Sequence, residues 1–333
     1  MFEIINYKEG MKIKKNCIVR GMPNDIYHKK PALSNSGLKT LLDCPAKYYY
    51  KYLSGEYEPK KKPHFKIGKA VHCYLLEGRE QFEKIYWTNP YYGLKKEEKI
   101  EKLKSFGYDN IPKTTTVAQI DDFLLCAAEI EVKEIELTPS ELNQVVCMVK
   151  AAKADKKAAN ALSQLGESEL SIFWYDEEKE LWFKCRPDFL PYNPINVPDY
   201  KTSDSANPAD FLSKFLNYGY HIQSAMYKLG IKAVLDVDVE NFYFIVQEKE
   251  APFVTQIFNP KNEYSLWGEK AINNAVEVYK ECKKTGIWGG YTDKIIEIST
   301  EPMPDYLNSN YDKENGIIYA PFWIDRILEK YEV

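Results

Sequence analysis

Long apolar runs and paired cysteines are both missing from the sequence. No stretch of its 333 residues approaches the roughly 18–20 apolar residues that a membrane helix requires, so no membrane association is expected. The first fifteen residues, MFEIINYKEGMKIKK, lack the apolar core and the cleavage site of a signal peptide. The seven cysteines are odd in number and include no C-x-x-C pair, which favours free thiols in a reducing compartment. We therefore expect a cytoplasmic protein.

A large net charge is also missing, because 45 Lys and Arg residues nearly balance 49 Asp and Glu residues and leave −4. This balance argues against a general coater of nucleic acid. Residues 1–72 contain fifteen basic and six acidic side chains, a local excess of +9, so the remaining 261 residues carry −13. This distribution suits an enzyme that binds a polyanion in one place, and an unevenly charged, solvated surface explains it equally well.

The spacing of apolar residues predicts several helices. The stretch NDIYHKKPALSNSGLKTLLDCPAKYYYKYL is expected to form a loop and two short helices, with Ser36 capping the first and Pro45 opening the second. The stretch FKIGKAVHCYLLEG has a helical apolar spacing that ends at Gly78. Further helices are expected near 117–132, at 140–163, over about twenty residues from Pro208, and at 262–285. The charged residues 93–116 show weak periodicity, which predicts a mobile segment.

Strands are expected in the second half of the chain. The segments ESELSIFWY, LWFKCRPDFL and INVPDYKT are rich in aromatic and β-branched residues, and only DEEKE and PYNP separate them. We expect them to be successive strands of a meander, with VENFYFIVQE and APFVTQIFN as later strands. The order helix, three strands, helix, strands, helix predicts an α/β domain around a mixed sheet.

Two aspartates and a lysine lie in the stretch KCRPDFLPYNPINVPDYKTSD. If the meander is right, Asp188 and Asp199 end adjacent strands, and two carboxylates held side by side repel each other unless a cation lies between them. Such oxygen ligands suit Mg²⁺ or Mn²⁺ better than zinc. Lys201 shares a strand face with Asp199 and can orient a water and offset negative charge. These groups suit metal-assisted phosphodiester hydrolysis, although an ordinary surface Asp–Lys pair has the same spacing.

Three further residues belong to this hypothesis. Gln223 and Tyr227 are four residues apart, so they share one face of a helix that can pack across the strand ends. Taken alone, Tyr227 is better explained as a core residue. His72 is one of only four histidines, and it is either a satisfied core residue or a metal ligand that completes a site with the two aspartates.

The motifs RPDFL and VPDYKT, the Q-x-x-x-Y pair and GKAVH together resemble the exonuclease VIII (RecE-type) branch of the PD-(D/E)XK nucleases. The stretch YHKKPALSNSGLKTLLDCPAKYYYKYL is similar to the opening segment of that branch and of its CRISPR-associated relatives. The resemblance runs, with gaps, from about residue 26 to about residue 290. It implies a restriction-endonuclease-like core, with a central mixed β-sheet flanked by helices. We expect one nuclease domain, with a basic helical segment at 1–66, the catalytic core at 67–290 and an irregular tail at 291–333.

The resemblance also implies a set of metal ligands. His72, Asp188 and Asp199 would bind one or two Mg²⁺ or Mn²⁺ ions, with the backbone carbonyl of Tyr200 as a further ligand. Some relatives hold an iron–sulfur cluster with one N-terminal and three C-terminal cysteines. Cys44 occupies the N-terminal position, but only Cys282 follows residue 185, so no iron–sulfur cluster is expected.

Among the remaining residues, the resemblance assigns Lys201 as the catalytic lysine and Gln223 with Tyr227 as an accessory catalytic motif. Arg186 can contact phosphate or pair with an acid, and Glu169 is expected to be a solvated charge at a strand end. Candidate DNA contacts, for which a solvated surface is the simpler explanation, are Ser36, Lys60, Lys61, Lys62, Lys66 and Lys69.

The function expected from the resemblance is a 5′→3′ exonuclease on double-stranded DNA ends, which leaves single-stranded overhangs for phage-type recombination. Its expected partners are a single-strand annealing protein and further copies of the chain in a trimeric or tetrameric ring. If the chain is phage-encoded, the compartment is the host cytoplasm. One alternative is an endonuclease or CRISPR-adaptation-type nuclease with the same chemistry. Another is a DNA-end-binding module without catalysis.

Overall fold

The computed structural model describes residues 3–58, 66–292, 296–302, 311–312 and 317–320. For residues 297–302, 311–312 and 317–320 it describes the backbone alone. The chain divides into two compact units. The first contains Met1–Lys39 and Glu58–Val276, and the second contains Thr40–Tyr57 and Glu277–Val333. Within the described residues, no helix combines the length and apolar character needed to cross a bilayer.

The structure contains short and long helices in both halves of the chain. The α-helices are α1 (Asn24–Lys29), α2 (Asn35–Asp43), α3 (Pro45–Tyr52), α4 (Lys66–His72), α5 (Arg79–Ile85), α6 (Lys96–Ser105), α7 (Val117–Ala127), α8 (Pro139–Ala154), α9 (Lys156–Leu162), α10 (Pro208–Asn217), α11 (Tyr220–Leu235) and α12 (Asn262–Thr285). A π-helical turn, Cys73–Glu77, extends α4.

The strands form several sheets. They are β1 (Ile4–Asn6), β2 (Cys17–Arg20), β3 (Leu33–Ser34), β4 (Tyr86–Trp87), β5 (Ile135–Glu136), β6 (Gly166–Ser168), β7 (Ser171–Asp176), β8 (Leu181–Cys185), β9 (Phe189–Pro191), β10 (Asn196–Ser203), β11 (Asn241–Glu248), β12 (Thr255–Phe258), β13 (Glu297–Pro302), β14 (Tyr311–Asp312) and β15 (Ile317–Ala320). Strands and helices together confirm the expected mixed α/β fold, with a central mixed sheet flanked by helices.

The largest sheet has five strands in the order β1-β2-β7-β8-β3 and is mixed. The pairs β1–β2 and β3–β8 are parallel, whereas β2–β7 and β7–β8 are antiparallel. Several of its apolar side chains, among them Ile18 and Phe173, are almost completely buried. Helix α11 packs closely on this sheet at Gly230, where an added Cβ would lie 2.7 Å from the Trp174 ring. The apolar faces of the sheet and α11 therefore share one core.

A second sheet carries the residues of interest. Its order is β10-β11-β12, with β10 parallel to β11 and β11 antiparallel to β12. Strand β11 is central and its residues Phe244, Ile245 and Val246 are fully buried. Strand β10 is an edge of this ladder, so one row of its backbone groups is open to other partners.

The prediction of a three-strand meander is wrong after its first hairpin. Strands β7 and β8 do form an antiparallel pair, but β9 pairs with β6 and β10 pairs with β11. The open edge of β10 explains the difference. Pro198 has no N–H to offer, and the N–H of Tyr200, two residues later on the same edge, is taken by the Asp188 side chain. The two aspartates therefore do not end adjacent strands, since Asp188 precedes β9 and Asp199 lies inside β10.

The segment expected to be mobile instead contains α6. Its Leu103 packs on Ile120 and Leu124 of α7, and Lys99 forms a buried ion pair with Asp121 at 2.6 Å. The composition of this segment does not predict which of its residues face inward, because charged residues in a buried ion pair and charged residues in solvent give the same composition. Two predicted long helices are each broken in two, at Asp155 and at Gly219. Asp155 accepts a capping hydrogen bond from the Ala158 N–H, and Gly219 adopts a left-handed conformation.

The second unit contains α3, part of α12 and the strands after residue 296. Pro45 opens α3 as expected, and the Tyr48 ring stacks on Trp288 at 5.7 Å between centroids. Helix α12 ends before Gly286, also as expected. The region expected to be irregular, 291–333, contains β13, β14 and β15. The prediction of a single domain with boundaries near 66 and 290 stays a prediction.

Candidate functional site

Strand β10 places Asp199 and Lys201 on one face, as their spacing predicts. The Nζ atom of Lys201 lies 2.5 Å from Oδ2 of Asp199, whose side chain is only 1% exposed. The other carboxylate oxygen of Asp199 accepts a 2.7 Å hydrogen bond from Nε2 of Gln223 on α11. Each oxygen of this buried carboxylate thus faces one specific partner. This pairing restricts the ammonium of Lys201 to one position.

Asp188 lies on the open side of β10. Its Oδ2 atom accepts a hydrogen bond from the backbone N–H of Tyr200 at 3.2 Å and lies 3.8 Å from Nζ of Lys201. Within a strand, the N–H and C=O of one residue point to the same side. The carbonyl of Tyr200 therefore points towards the Asp188 edge, where a metal ligand was expected.

Helix α4 brings His72 to the same place. Its Nε2 atom lies 3.3 Å from Oδ1 of Asp188. Helix α4 can approach β10 because residue 68 is glycine, and an added Cβ there would lie 2.8 Å from Oγ1 of Thr202. The π-helical turn begins directly after His72, and such turns recur at functional sites. The motif GKAVH therefore combines a close helix–strand contact with a histidine that faces the acids.

Glu169 also belongs to this cluster, which the sequence analysis did not predict. Its Oε1 atom lies 3.9 Å from Nδ1 of His72, and its backbone N–H donates to the carbonyl of Asp188 at 3.3 Å. Its φ of 55° is in the left-handed region, which is uncommon for a non-glycine residue and is frequent at functional sites. Glu169 does lie at a strand end, between β6 and β7, and its side chain is 40% exposed, so it is a partly solvated charge that also faces His72. The only sequence signal was the repeated glutamate in ESEL, and it did not show which one faces inward.

Arg186 supports Glu169 from within the protein. The Nη2 atom donates to the Met22 carbonyl and to Oγ of Ser171, at 2.9 and 2.7 Å, and Nη1 lies 3.9 Å from Oε2 of Glu169. The guanidinium also lies 4.2 Å from the centre of the Tyr27 ring. Its side chain is 9% exposed, so of the two roles considered for Arg186 the pairing with an acid fits and the phosphate contact does not.

Burial and mutual repulsion shift the charges of the site. Burial, with the neighbouring Asp188 carboxylate, raises the pKa of Asp199 and that of Glu169 each to about 7. Burial also acts to raise the pKa of Asp188, but Lys201 and His72 outweigh it and hold that pKa below its ordinary value. Burial alone would lower the pKa of His72, yet Asp188 and Glu169 raise it to about 9. Burial and the mutual repulsion of the three carboxylates are thus opposed by the positive charges of Lys201, His72 and Arg186.

The same residues fit a divalent cation. Among the described residues, one group of His, Cys, Asp and Glu side chains has its potential ligand atoms within 4.8 Å of one another, and it consists of His72, Glu169 and Asp188. One imidazole and two carboxylates form a donor set that suits Mg²⁺ or Mn²⁺. Asp199 is not in this group, because its two oxygens face Lys201 and Gln223.

The two accessory residues differ in their surroundings. Gln223 is buried and bonds to Asp199 directly. Tyr227 lies on the same helix, with its ring 5.9 Å from that of Phe242, and burial followed by the Asp199 and Asp188 charges raises its pKa well above the ordinary value. Tyr227 is thus near the acids and partly in the core.

The candidate DNA contacts have varied positions. Lys66 pairs with Glu141 at 2.6 Å, and Lys69 is exposed in the last turn of α4. Ser36 lies inside α2 and does not cap it, since the Gly37 N–H bonds to Oγ of Ser34 instead. The remaining candidates, Lys60, Lys61 and Lys62, lie outside the described residues.

The arrangement of an α-helical histidine, two or three acids and a lysine around one strand edge is that of the PD-(D/E)XK nuclease superfamily. Residues 34–300 match the family model described as a PDDEXK-like domain of unknown function, DUF3799, and the chain belongs to this family. The match covers the five residues His72, Asp188, Asp199, Lys201 and Gln223. It does not distinguish the RecE-type branch from other branches of the superfamily.

The fold is also similar to a solved structure. The crystal structure of a "putative exonuclease" from Eubacterium rectale superposes with a TM-score of 0.53 at 14% sequence identity. The match covers 89% of this chain and 97% of that chain. At this identity the similarity establishes the fold alone. The curated proteins contain no match to the chain.

Proposed function

We propose that this protein is a divalent-metal-dependent exodeoxyribonuclease that acts on double-stranded DNA ends. The observation that carries the proposal is the position of Lys201, whose ammonium lies 2.5 Å from Asp199 and 3.8 Å from Asp188, beside the ligand cluster of His72, Glu169 and Asp188. Phosphodiester hydrolysis needs electrostatic stabilisation of the charge that develops on the phosphate. A fixed ammonium beside a divalent-metal donor set supplies it.

His72, Glu169 and Asp188 would hold the metal, with the Tyr200 carbonyl and Asp199 as further ligands. When bound, Mg²⁺ or Mn²⁺ supplies a Lewis acid that polarises the scissile phosphate. Lys201 orients the attacking water and offsets negative charge on the phosphate oxygens. Asp199 also fixes Lys201, and Gln223 acts by positioning Asp199. Tyr227 completes the helix face next to them.

Activity on DNA ends, rather than within a strand, is supported by the fold shared with the protein described as an exonuclease and by the motif resemblance. The 5′→3′ direction and the single-stranded overhang for recombination rest on the motif resemblance alone, whereas the cytoplasmic location rests on the cysteine pattern. The annealing-protein partner and a ring of three or four copies also rest on the motif resemblance. Exposed basic side chains such as Lys69 would then face the DNA within the ring.

The test uses linear duplexes labelled separately at each 5′ and 3′ end, digested with Mg²⁺ over time. We expect release of the 5′ label as mononucleotides before loss of the 3′ label, and no digestion of a closed circular duplex. Cutting of the circle would indicate an endonuclease instead, and early release of the 3′ label would reverse the direction. A protein that binds duplex ends and digests neither form would be the binding module. The matched variants are Lys201→Met, expected to be inactive, and Lys232→Met on the exposed face of α11, expected to be active.

A further inference from the structure

The connection between α10 and α11 holds two tyrosines close together. Gly219 between them has φ 62° and ψ 41°, a left-handed conformation that ends one helix and starts the next. As a result, the rings of Tyr218 and Tyr220 lie 5.8 Å apart between centroids. The two side chains form a tyrosine pair that neither helix alone would bring together.

The inner tyrosine reaches the candidate active site. The Nζ atom of Lys201 lies 5.7 Å from the centre of the Tyr220 ring. The same ring is packed among aromatic residues, with Phe244 stacked at 5.2 Å and Phe211 at 6.1 Å. Tyr220 therefore lies between the aromatic core and the candidate active site in its contacts, because it neighbours both these rings and the lysine.

The outer tyrosine, Tyr218, exposes its ring and is fixed through its backbone. Its side chain is among the exposed large hydrophobic groups, at 57%. Its carbonyl accepts a 2.8 Å hydrogen bond from Nζ of Lys39, and its N–H bonds to the Lys214 carbonyl at 2.9 Å. The Lys39 side chain also packs against Gly219, where an added Cβ would lie 2.6 Å from Cδ of Lys39. The exposed ring of Tyr218 is thus connected to Lys201 through the ring of Tyr220. The distance between the two rings and the distance from the second ring to Nζ of Lys201 are each less than 6 Å.

Resting on the proposed function, we propose that Tyr218 stacks on an unpaired nucleobase of the DNA strand whose phosphate is held at Lys201. Aromatic side chains bind single-stranded DNA by stacking on the bases, and every base offers such a face. A base inside a duplex already stacks on both of its neighbours, so an available face implies a frayed or single-stranded end. The substrate state at the site is therefore a strand separated from its complement.

A different occupant of the same surface is a second copy of this chain. Leu212 and Leu216 of α10 are also exposed, at 49% and 41%, and could extend an apolar contact around Tyr218. The proximity of the tyrosine pair to Lys201 favours the nucleobase. A double-mutant cycle that removes the tyrosine ring, the nucleobase or both distinguishes these two occupants.

The experiment measures kcat/KM for a set of four end-labelled duplexes. Each duplex carries a single abasic nucleotide, at the first, second, third or fourth position from the digested end. In the unmodified protein, one position should lower kcat/KM about tenfold, the size expected for one stacked base. On the intact substrate, Tyr218→Ala should cause a similar loss and Tyr218→Phe almost none. On the substrate that is abasic at the sensitive position, Tyr218→Ala should cause no further loss, because the ring and the base act through the same contact.

The control is Tyr108→Ala, which removes another exposed tyrosine of the first unit and should leave every value unchanged. Equal losses from Tyr218→Ala on intact and abasic substrates would overturn the stacking proposal while leaving the nuclease intact. A change of oligomeric state with Tyr218→Ala, without this dependence on the base, would overturn it in favour of the second copy. If the unmodified protein digests no DNA, the proposed function fails and the stacking proposal fails with it.

Discussion

The Nε2 atom of Gln223 donates a 2.7 Å hydrogen bond to Oδ1 of Asp199, and both side chains are buried. Asp199 in turn holds the ammonium of Lys201 at 2.5 Å. The amide therefore orients the carboxylate, and the carboxylate orients the lysine. A buried carboxylate oxygen without this donor would carry the full cost of its lost solvation.

Replacing this amide should reduce activity without removing any group that touches the phosphate. We expect Gln223→Leu to lower the digestion rate by about 10- to 100-fold, the usual effect of losing a supporting hydrogen bond around a metal site. The control is Gln164→Leu, because Gln164 bonds only to the Ala161 carbonyl near the end of α9. Equal rates for Gln223→Leu and the unmodified protein would show that Asp199 needs no such orientation.

Glu169 should contribute to metal affinity. We expect Glu169→Gln to weaken Mn²⁺ binding at least tenfold, since it removes one charged ligand while keeping the size of the side chain. Calorimetric titration with Mn²⁺ measures this directly and needs no DNA. Glu178→Gln in the turn between β7 and β8 removes the same charge elsewhere and should bind Mn²⁺ as the unmodified protein does. An unchanged affinity in Glu169→Gln would exclude Glu169 from the ligand set.

The close contact at Gly68 should determine where His72 lies. An alanine Cβ at this position would be 2.8 Å from Oγ1 of Thr202, so Gly68→Ala should push α4 away from β10. A displacement of about 1 Å can cost about 100-fold in rate, and we expect a loss of up to that size. Activity should return in Gly68→Ala/Thr202→Ala, where the obstructing oxygen is gone. If Thr202→Ala rescues nothing, the loss has another cause.

Lys184 should matter for stability rather than catalysis. Its buried ammonium donates to the carbonyls of Tyr27, His28 and Lys30 at 2.8, 3.1 and 2.7 Å, next to the end of α1. We expect Lys184→Met to lower the free energy of unfolding by about 3 kcal/mol, because several buried acceptors lose their donor. Urea unfolding should then show a lower midpoint with an unchanged slope.

Lys179→Met provides the comparison for Lys184→Met. Lys179 pairs with Asp176 in a turn of the same hairpin, and such partly exposed pairs contribute at most about 1 kcal/mol. A larger loss of stability in Lys179→Met than in Lys184→Met would contradict the assignment of Lys184 as the buried anchor of α1.

The resemblance to the PD-(D/E)XK nucleases, and not spacing, grouped His72, Asp188, Asp199, Lys201 and Gln223 into one predicted site. Spacing alone fixes only that Asp199 shares a strand face with Lys201, and that Gln223 shares a helix face with its fourth neighbour. Glu169 could not be predicted, because its left-handed backbone breaks the alternation of the strand before it. The partner of β10 was also mispredicted, since strand pairing depends on contacts with β11 that lie some forty residues away.

The break between α10 and α11 has the same kind of origin. Apolar spacing continues across residues 208–231, so it predicts one helix. Gly219 interrupts that helix because the left-handed conformation is available to glycine at little cost, and the packing of Tyr220 on Phe244 favours the turn. Such a break is decided by tertiary contacts, which a helical period does not contain.

The most direct test of the account compares the release of acid-soluble nucleotides from linear duplex DNA by the unmodified protein and by Asp188→Asn, each titrated with Mg²⁺. Asp188 touches His72, Lys201 and the Tyr200 N–H at once, so it is the residue on which the whole arrangement depends. We expect digestion by the unmodified protein that rises with Mg²⁺ and stops with a chelator, and none by Asp188→Asn at any Mg²⁺ concentration. Digestion by Asp188→Asn at the unmodified rate, or digestion that persists in the chelator, would contradict a metal-dependent centre at this site.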